Sequence, residues 1–470
     1  MITTTPGLQS FGETNFGAAA LGNRTRTKRL VRAANLLAAH PGGTLPDKLN
    51  SPADLRAFYR LVNNPAVTHD AVLKPHRQRT SEGMREILET VLVIHDTTEL
   101  DFDSLTTLRE ELGQIGNGSR RGYLCHNSLA VVASTRQVLG LANQILHCRP
   151  EVPKNESRQA RRQREDRESR LWVEGSTAVG PVPEGRLWVD VCDRGSDTFE
   201  YLDHKHKQRG YYVVRCKHDR VIHVEIAGKI SKVRLHGFAQ SLLEQGRRTV
   251  VVPSRDGQPS RTATVRVGFA PIVVPAPKNP RGEHGCEPLS LWVVYVGEID
   301  PPAGVDAVEW ILLTNVAVAT IEAADERIGW YGTRWVIEDY HKAQKTGCGI
   351  EQMQFTTSVA MEPALAVISV AAVLLLQLRS VSRDEAAKPR PAAEIVPAAY
   401  VRVLTGWRFK AFRMEITVED FFCALGRLGG HQNRKGDGMP GWIVLWRGWT
   451  KLLAMVEGAE IGGAEKLGKT

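Results

Sequence analysis

The stretch Trp330-Tyr331-Gly332-Thr333-Arg334-Trp335-Val336-Ile337-Glu338-Asp339-Tyr340-His341-Lys342-Ala343-Gln344-Lys345 is the segment around which this chain is organised. It contains no proline and has a 3.6-residue rhythm, which predicts one continuous helix. Four polar residues recur at helical spacing and are expected to share one face: Arg334, Glu338, His341 and Lys345. Three apolar residues are expected to anchor other faces in a core: Trp335, Ile337 and Tyr340. Taken alone, such a helix is more often a solvated salt-bridge ladder than a site.

Two upstream segments each place an aspartate after a short apolar run. Residues 91–95 lead to Asp96, and residues 187–192 lead to Asp193, which a glycine turn follows. Each carboxylate is expected at the end of a buried strand, at the rim of a sheet. A single aspartate in such a place is more often a turn or cap residue. Together with Glu338, however, two aspartates can form an oxygen-lined site for two Mg²⁺ ions.

The helix and the two acidic segments also resemble a known family. Two, three and six residues separate the successive members of one set of four: Tyr331, Arg334, Glu338 and Lys345. This spacing resembles the Tyr-Arg-Glu-Lys signature of the IS4-type (Tn5-like) DDE transposases. Asp96 in His-Asp-Thr-Thr and Asp193 in Val-Cys-Asp-Arg-Gly-Ser-Asp are similar to the first two catalytic acids of that family. The resemblance extends from about Phe11 to Leu453.

The resemblance implies a metal-dependent catalytic site in which Asp96 bridges two Mg²⁺ ions and Asp193 and Glu338 each complete one of them; Mn²⁺ would be able to replace Mg²⁺. It implies cut-and-paste transposition: binding of terminal inverted repeats, nicking, hairpin formation and resolution, and strand transfer to target DNA. The same likeness implies a bacterial, cytoplasmic, nucleoid-associated protein.

The resemblance also implies that Trp310 and the remaining signature residues handle the DNA. Trp310 would stack on a base extruded during hairpin formation, although a tryptophan on a strand is usually a core residue. Tyr331 and Arg334 would clamp the adjacent phosphate, and Lys345 would contact the strand that is cut. Stacking on an aromatic ring suits any base, since every base offers a π-face.

Composition sets the bounds of these expectations. The chain has 470 residues, a formal net charge of +9 and seven scattered cysteines, which suggests two to four domains, a polyanionic partner and a reducing compartment. Residues 1–9 lack the features of an export signal, so none is expected. The apolar run at residues 364–376 is shorter than the ~20 residues of a membrane span. It predicts a buried helix, and no membrane partner is expected.

Three domains are predicted. Residues 1–80 are expected to form a helical DNA-binding domain, residues 81–365 an RNase H-like catalytic core, and residues 366–470 a helical dimerisation domain. A β-rich insertion is expected at about residues 221–315. The periodicity alone indicates only an α/β protein; the RNase H-like core and the homodimer are implied by the resemblance.

Basic residues outside the central helix are candidates for contacts with double-stranded DNA. In the N-terminal helix these are Arg26, Lys28 and Arg29, for which a solvated surface is the alternative. In the core they are Arg215 and Arg220, for which salt bridges to carboxylates are equally plausible. The arginine-rich segment 158–170 is more typical of a solvated helix than of an arm on DNA. Three C-terminal tryptophans at helical spacing favour core packing over a partner surface: Trp442, Trp446 and Trp449.

Two alternative functions remain open at this point. A nuclease of the same fold could cleave DNA without joining strands, but it would not require the hairpin-handling residues. A catalytically silent DNA-binding derivative would be expected to have lost an acid, whereas Asp96, Asp193 and Glu338 are all present.

Overall fold

The computed structural model describes residues 8–49, 51–150, 157, 160, 164–252, 260–278, 283–434 and 437–467. Its helices are α1 Leu8–Phe16, α2 Arg24–Ala39, α3 Leu45–Leu49, α4 Pro52–Val62, α5 His69–Glu86, α6 Leu171–Val179, α7 Phe199–Lys207, α8 Leu235–Ser241, α9 Ile321–Thr333, α10 Trp335–Lys342, α11 Ser358–Ser382, α12 Ala398–Phe409, α13 Val418–Leu428 and α14 Trp442–Leu467. Its strands are β1 Val91–Asp101, β2 Gly113–Gln114, β3 Arg121–Val132, β4 Val138–His147, β5 Trp188–Cys192, β6 Tyr211–Arg215, β7 Val221–Ile226, β8 Lys229–Arg234, β9 Gly246–Val252, β10 Arg261–Val274, β11 Leu289–Glu298 and β12 Glu309–Thr314.

The N-terminal helices follow from capping and amphipathic patterning. Asn23 caps α2 by accepting a hydrogen bond from the Arg26 amide (2.9 Å), and Ser51 caps α4 in the same way, ahead of Pro52. Four apolar residues at helical spacing in α2 are buried: Leu30, Ala33, Ala34 and Leu37. The helical N-terminal region expected from the sequence is therefore present.

The twelve strands of the described residues form one mixed sheet in the order β2-β3-β1-β5-β6-β12-β11-β10-β7-β8, with β4 on β3 and β9 on β10. Strands β1, β3 and β4 pair antiparallel, whereas β1, β5 and β6 pair in parallel. The region predicted as a β-rich insertion contains β7 to β12, and through the β12–β6 pairing it extends the same sheet. The protein is a mixed α/β protein, as expected.

Helix α11 forms the central core of the helical layers. It is the one described helix long and apolar enough to cross a membrane, yet 89% of its most apolar stretch is buried inside the protein. It packs against α2, α4, α5, β4 and α14. The predicted buried helix at residues 364–376 is confirmed, and it is the interior element of the fold.

Contacts between distant parts of the chain tie the N-terminal helices to the segment that follows α10. The buried Lys48 ammonium donates to the carbonyl oxygens of Pro41 and Cys348, the latter at 2.9 Å. The Tyr59 hydroxyl donates to the Gln354 carbonyl at 3.1 Å. The predicted domain limits at 80 and 365 fall inside α5 and α11, so both boundaries cross continuous helices.

Two expectations for the central segment are wrong. The helix is interrupted at Arg334, where hydrogen bonds to residues three apart replace the α-helical pattern, and it ends in a π-helical turn, Ala343–Gly347. The Thr333 hydroxyl donates to the Gly329 carbonyl at 3.0 Å. Trp335 is 46% exposed and does not anchor a core; Ile337 and Tyr340 are buried as expected.

The C-terminal helices α13 and α14 cross closely at two glycines. A β-carbon at Gly429 would lie 1.9 Å from the Val444 carbonyl oxygen, and one at Gly448 would lie 2.0 Å from the Leu425 carbonyl oxygen. The three tryptophans of α14 are buried, and Trp449 stacks on Tyr400 of α12, which confirms that they pack in the core.

The substitution Gly448→Ala should destabilise the protein by roughly 1–3 kcal/mol, because backbone oxygen occupies the space that the methyl group requires. Gly458→Ala is the matched control in the same helix: nothing lies within 4 Å of its β-carbon, and alanine favours a helix by about 1 kcal/mol. Thermal unfolding measures both, and equal melting temperatures for the two variants would contradict the close crossing.

Candidate active site

The parallel pairing of β1 with β5 places two of the predicted acids side by side. The last parallel pair is His95 with Cys192, so Asp96 and Asp193 each follow the last residue of that ladder. Asp193 leaves the strand as expected, and its carboxylate accepts a hydrogen bond from the Gly195 amide at 2.9 Å. Asp96 differs from expectation: it lies within β1, because β3 continues to pair with that strand as far as Asp101.

Arg334 links the first strand to the third predicted acid. Its guanidinium donates to Asp96 Oδ2 at 3.1 Å and to Glu338 Oε1 at 2.7 Å. The side chain of Arg334 is 14% exposed, that of Asp96 17% and that of Glu338 30%. Arg334, at the break between α9 and α10, thus places a cation between the two carboxylates.

The three acids share one electrostatic environment. Burial, the charge of Asp193 and, less strongly, that of Glu338 raise the pKa of Asp96 to about 7, while Arg334 opposes the shift. The pKa is raised even though the Arg334 guanidinium lies beside Asp96. Further positive charge near the three carboxylates would therefore favour the ionised form of Asp96.

The donor set suits a hard cation, since carboxylate oxygens are the ligands that Mg²⁺ prefers. In the part of the chain that the structure describes, however, no three His, Cys, Asp or Glu side chains are grouped closely enough to hold a metal ion. The Arg334 guanidinium lies between Asp96 and Glu338 instead. The residue types fit a metal, and the cation among them here belongs to the protein.

Trp310 and the signature residue Tyr331 lie together beside the acids. The rings of Trp310 and Tyr331 meet edge to face with centroids 5.3 Å apart, and Arg334 lies 5.9 Å from the Tyr331 ring. Tyr331 is buried and Trp310 half-buried. Lys345 forms an ion pair with Glu351 at 3.4 Å, on the π-helical turn that displaces it from the regular helical face.

A buried polar layer, which sequence reasoning missed, lies directly behind the acids. Asp190 Oδ2 is 2.8 Å from Lys205 Nζ and 3.4 Å from His95 Nε2, and it accepts a hydrogen bond from the Tyr201 hydroxyl at 2.9 Å. Although burial opposes it, the charges of Lys205 and His95 hold the pKa of Asp190 well below its ordinary value. The only sequence signal was an acid three residues before Asp193.

His341 is buried, and it contacts Asn127, the β3 partner of Asp96. Burial, aided by Lys345 and Arg334, lowers its pKa to about 3, so the ring is neutral. Its Nε2 lies 3.2 Å from the Asn127 side-chain amide, and Gln144 bonds the same Asn127 at 2.8 Å and the His69 ring of α5 at 3.0 Å. This chain of hydrogen bonds connects α10 to α5.

The candidate DNA contacts of the core are engaged within the protein. Arg220 forms an ion pair with the buried Asp197, the alternative that the sequence left open, and Arg215 donates to the Glu309 carbonyl at 3.0 Å. In the arginine-rich segment, Arg167 pairs with Glu200. Arg158, Arg161 and Arg162 lie outside the described residues.

Basic residues of α2 differ in how free they are. Lys28 and Arg29 are exposed, whereas Arg26 is half-buried and donates to the Leu21 carbonyl at 2.8 Å. Arg32 forms an ion pair with Asp54 at 2.6 Å. Lys28 and Arg29, together with the exposed Arg24 at the start of the helix, therefore present accessible charge.

One comparison with known proteins identifies the N-terminal region. Residues 9–67, from α1 to just beyond α4, match the family described as transposase DNA-binding. The match supports a DNA-binding transposase with DNA as its partner, and it agrees with the helical N-terminal region predicted for that role. It covers the N-terminal helices and not the acids.

The raised pKa of Asp96 gives a prediction for metal-free protein. Because the pKa is higher in the folded state than the ordinary 3.8, the stability that the protonated group confers is present at low pH and is lost as the pH rises through about 7. Asp96→Asn should therefore gain stability relative to the wild type between about pH 5 and about pH 8, by a few kcal/mol at most.

Urea unfolding in excess chelator measures this difference. Asp103→Asn is the control, since its exposed ion pair with Arg109 should contribute little at either pH. If Asp96→Asn changes the free energy of unfolding equally at about pH 5 and about pH 8, the assigned pKa is contradicted.

Proposed function

We propose that this protein is a DDE transposase of the IS4 type that performs cut-and-paste transposition. The observation that carries the proposal is the bridge from Asp96 through Arg334 to Glu338, beside Asp193, in a chain whose first helices match a transposase DNA-binding family. The spacing of Tyr331, Arg334, Glu338 and Lys345 adds the resemblance of the signature.

The sheet supports an RNase H-like core for this enzyme. Strands β4, β3, β1, β5 and β6 are adjacent in that order, the first three antiparallel and the last three parallel. In this order β1 and β5 are neighbours, and the proposed acids Asp96 and Asp193 directly follow the last residues of their ladder. Strands β7 to β12 would then be the β-rich insertion of the core.

Asp96, Asp193 and Glu338 would hold two Mg²⁺ ions, or Mn²⁺ in their place. When bound, two such ions activate a nucleophile and stabilise the leaving oxygen of an in-line displacement at phosphorus. The contribution of the chain is to hold three carboxylates at one rim of the sheet. The buried ladder behind Asp96 and Asp193 fixes their backbones, and α10 presents Glu338.

The neighbouring side chains would position the DNA. Trp310 would offer an aromatic face to an extruded base, Tyr331 and Arg334 would clamp the adjacent phosphate, and Lys345 would contact the cut strand. The same rim would serve nicking, hairpin formation, hairpin resolution and strand transfer, since all four are displacements at a phosphodiester. Arg215 and Arg220 would support the DNA only after leaving their present partners.

Recognition of transposon ends would be the role of the N-terminal helices, through Lys28, Arg29 and, after release from Leu21, Arg26. A homodimer would pair the two ends, with the C-terminal helices as the interface. The enzyme would act on the bacterial nucleoid in the cytoplasm. A nuclease that cuts without joining strands would not require Trp310 and Tyr331, which the proposal assigns to handling of the hairpin.

The catalytic assignment predicts that Glu338→Gln abolishes cleavage and strand transfer, by at least a factor of about 100, while binding of the ends persists. The assay uses a labelled duplex ending in the element's terminal repeat, with Mg²⁺, read on denaturing and native gels. Glu322→Gln, an exposed acid of α9, is the control and should retain activity. An active Glu338→Gln enzyme would refute the assignment.

The DNA-binding assignment predicts that Arg29→Gln weakens binding of the terminal repeat and lowers the slope of log affinity against log salt by about 1. Arg32→Gln should change this slope less, because Asp54 already neutralises Arg32. Fluorescence anisotropy at several salt concentrations measures both variants. Equal slopes for Arg29→Gln and the wild type would exclude Arg29 from the phosphate contacts.

A further inference from the structure

Arg334, which the proposed function assigns to DNA, is hydrogen-bonded to two of the acids of the site. Two of its guanidinium nitrogens donate to Asp96 and Glu338, at 3.1 and 2.7 Å, and the side chain is 14% exposed. Its third nitrogen, Nε, is buried and has no hydrogen-bond partner among the described residues. The guanidinium thus bridges the two carboxylates, and its Nε–H donor is unused.

The position of this cation coincides with the place that the proposed function gives to a metal. Asp96 is also subject to the negative charge of Asp193, so some positive charge is required if these buried acids are to be ionised together. A guanidinium supplies it without a metal. A divalent ion that used oxygens of both Asp96 and Glu338 would compete with Arg334 for those oxygens.

We infer that Arg334 is a built-in competitor of the metal: it neutralises Asp96 and Glu338 in the metal-free protein, and metal binding displaces its guanidinium from them. This inference rests on the proposed metal site. The displaced guanidinium regains two donors, and with Nε it can offer a phosphate a planar pair of N–H groups. Occupancy by the metal and grip on the DNA backbone are therefore coupled through one side chain.

The opposite role makes the opposite prediction. If Arg334 only holds the acids in the geometry that a metal needs, its removal weakens metal binding. If it competes, its removal strengthens metal binding, because the carboxylates are left without a cation. The sign of the change separates the two roles.

The experiment measures Mn²⁺ binding to the full-length chain without DNA, by isothermal titration calorimetry and by the shift in melting temperature. Arg334→Gln should bind Mn²⁺ at least about tenfold more tightly than the wild type and gain more thermal stability from it. Arg379→Gln is the matched control: Arg379 pairs with Asp339, the neighbour of Glu338, and should leave the affinity unchanged. Unchanged or weaker binding by Arg334→Gln overturns the inference.

Two further variants separate this inference from the proposed function. Glu338→Gln should lose the Mn²⁺ binding of the wild type, and Arg334→Gln/Glu338→Gln should lose the gain made by Arg334→Gln. If Glu338→Gln abolishes binding but Arg334→Gln does not strengthen it, the inference fails and the metal site stands. If neither Glu338 variant loses binding, the metal lies elsewhere, and both the inference and the proposed metal site are overturned.

A measurement on the wild type covers the case in which Arg334→Gln does not fold. Phenylglyoxal modifies accessible arginines, and peptide mass spectrometry reports Arg334 and Arg379 separately. Mn²⁺ should increase modification of Arg334 several-fold relative to Arg379, since the metal frees the first and not the second. An unchanged ratio in protein that binds Mn²⁺ overturns the inference.

Discussion

The parallel ladder between β1 and β5 is the constraint on which the candidate site depends. It ends at His95 and Cys192, so the next residue of each strand, Asp96 and Asp193, lies at the same level of the sheet. A shift of one residue in this register would turn one of the two side chains to the opposite face. The buried apolar residues before the acids thus determine where the two carboxylates lie, because they fix the register of β1 with β5.

The polar layer behind that ladder carries a second constraint. His95, Asp190 and Lys205 are buried, and a buried charge is tolerated only when it is paired and hydrogen-bonded. Asp190 meets this condition through Lys205, His95 and the Tyr201 hydroxyl. The buried His341 is neutral, and its ring lies within hydrogen-bond distance of the Asn127 side chain. The acids at the rim are therefore supported by hydrogen-bonded partners rather than by apolar side chains alone.

Sequence patterns captured local features of this fold and missed those that depend on packing. The helical N-terminal region, the strands that precede the acids and the buried α11 were readable, because each rests on a run of consecutive residues. The break in the helix at Arg334 was not, because the stretch contains no proline and its 3.6-residue rhythm continues through Arg334. Nor could the sequence decide whether Arg220 binds DNA or a carboxylate, because only the fold brings its partner Asp197 next to it.

Helix α11 has a consequence for how such a chain can change during evolution. It packs against the N-terminal helices, β4 of the sheet and α14 at once, and it runs without a break across residue 365. Shuffling of modules requires a seam that few contacts cross, and this helix removes such a seam. New DNA specificity is therefore more readily acquired by substitutions on the exposed face of α2 than by exchange of the N-terminal helices, whose inner faces are packed against the rest of the protein.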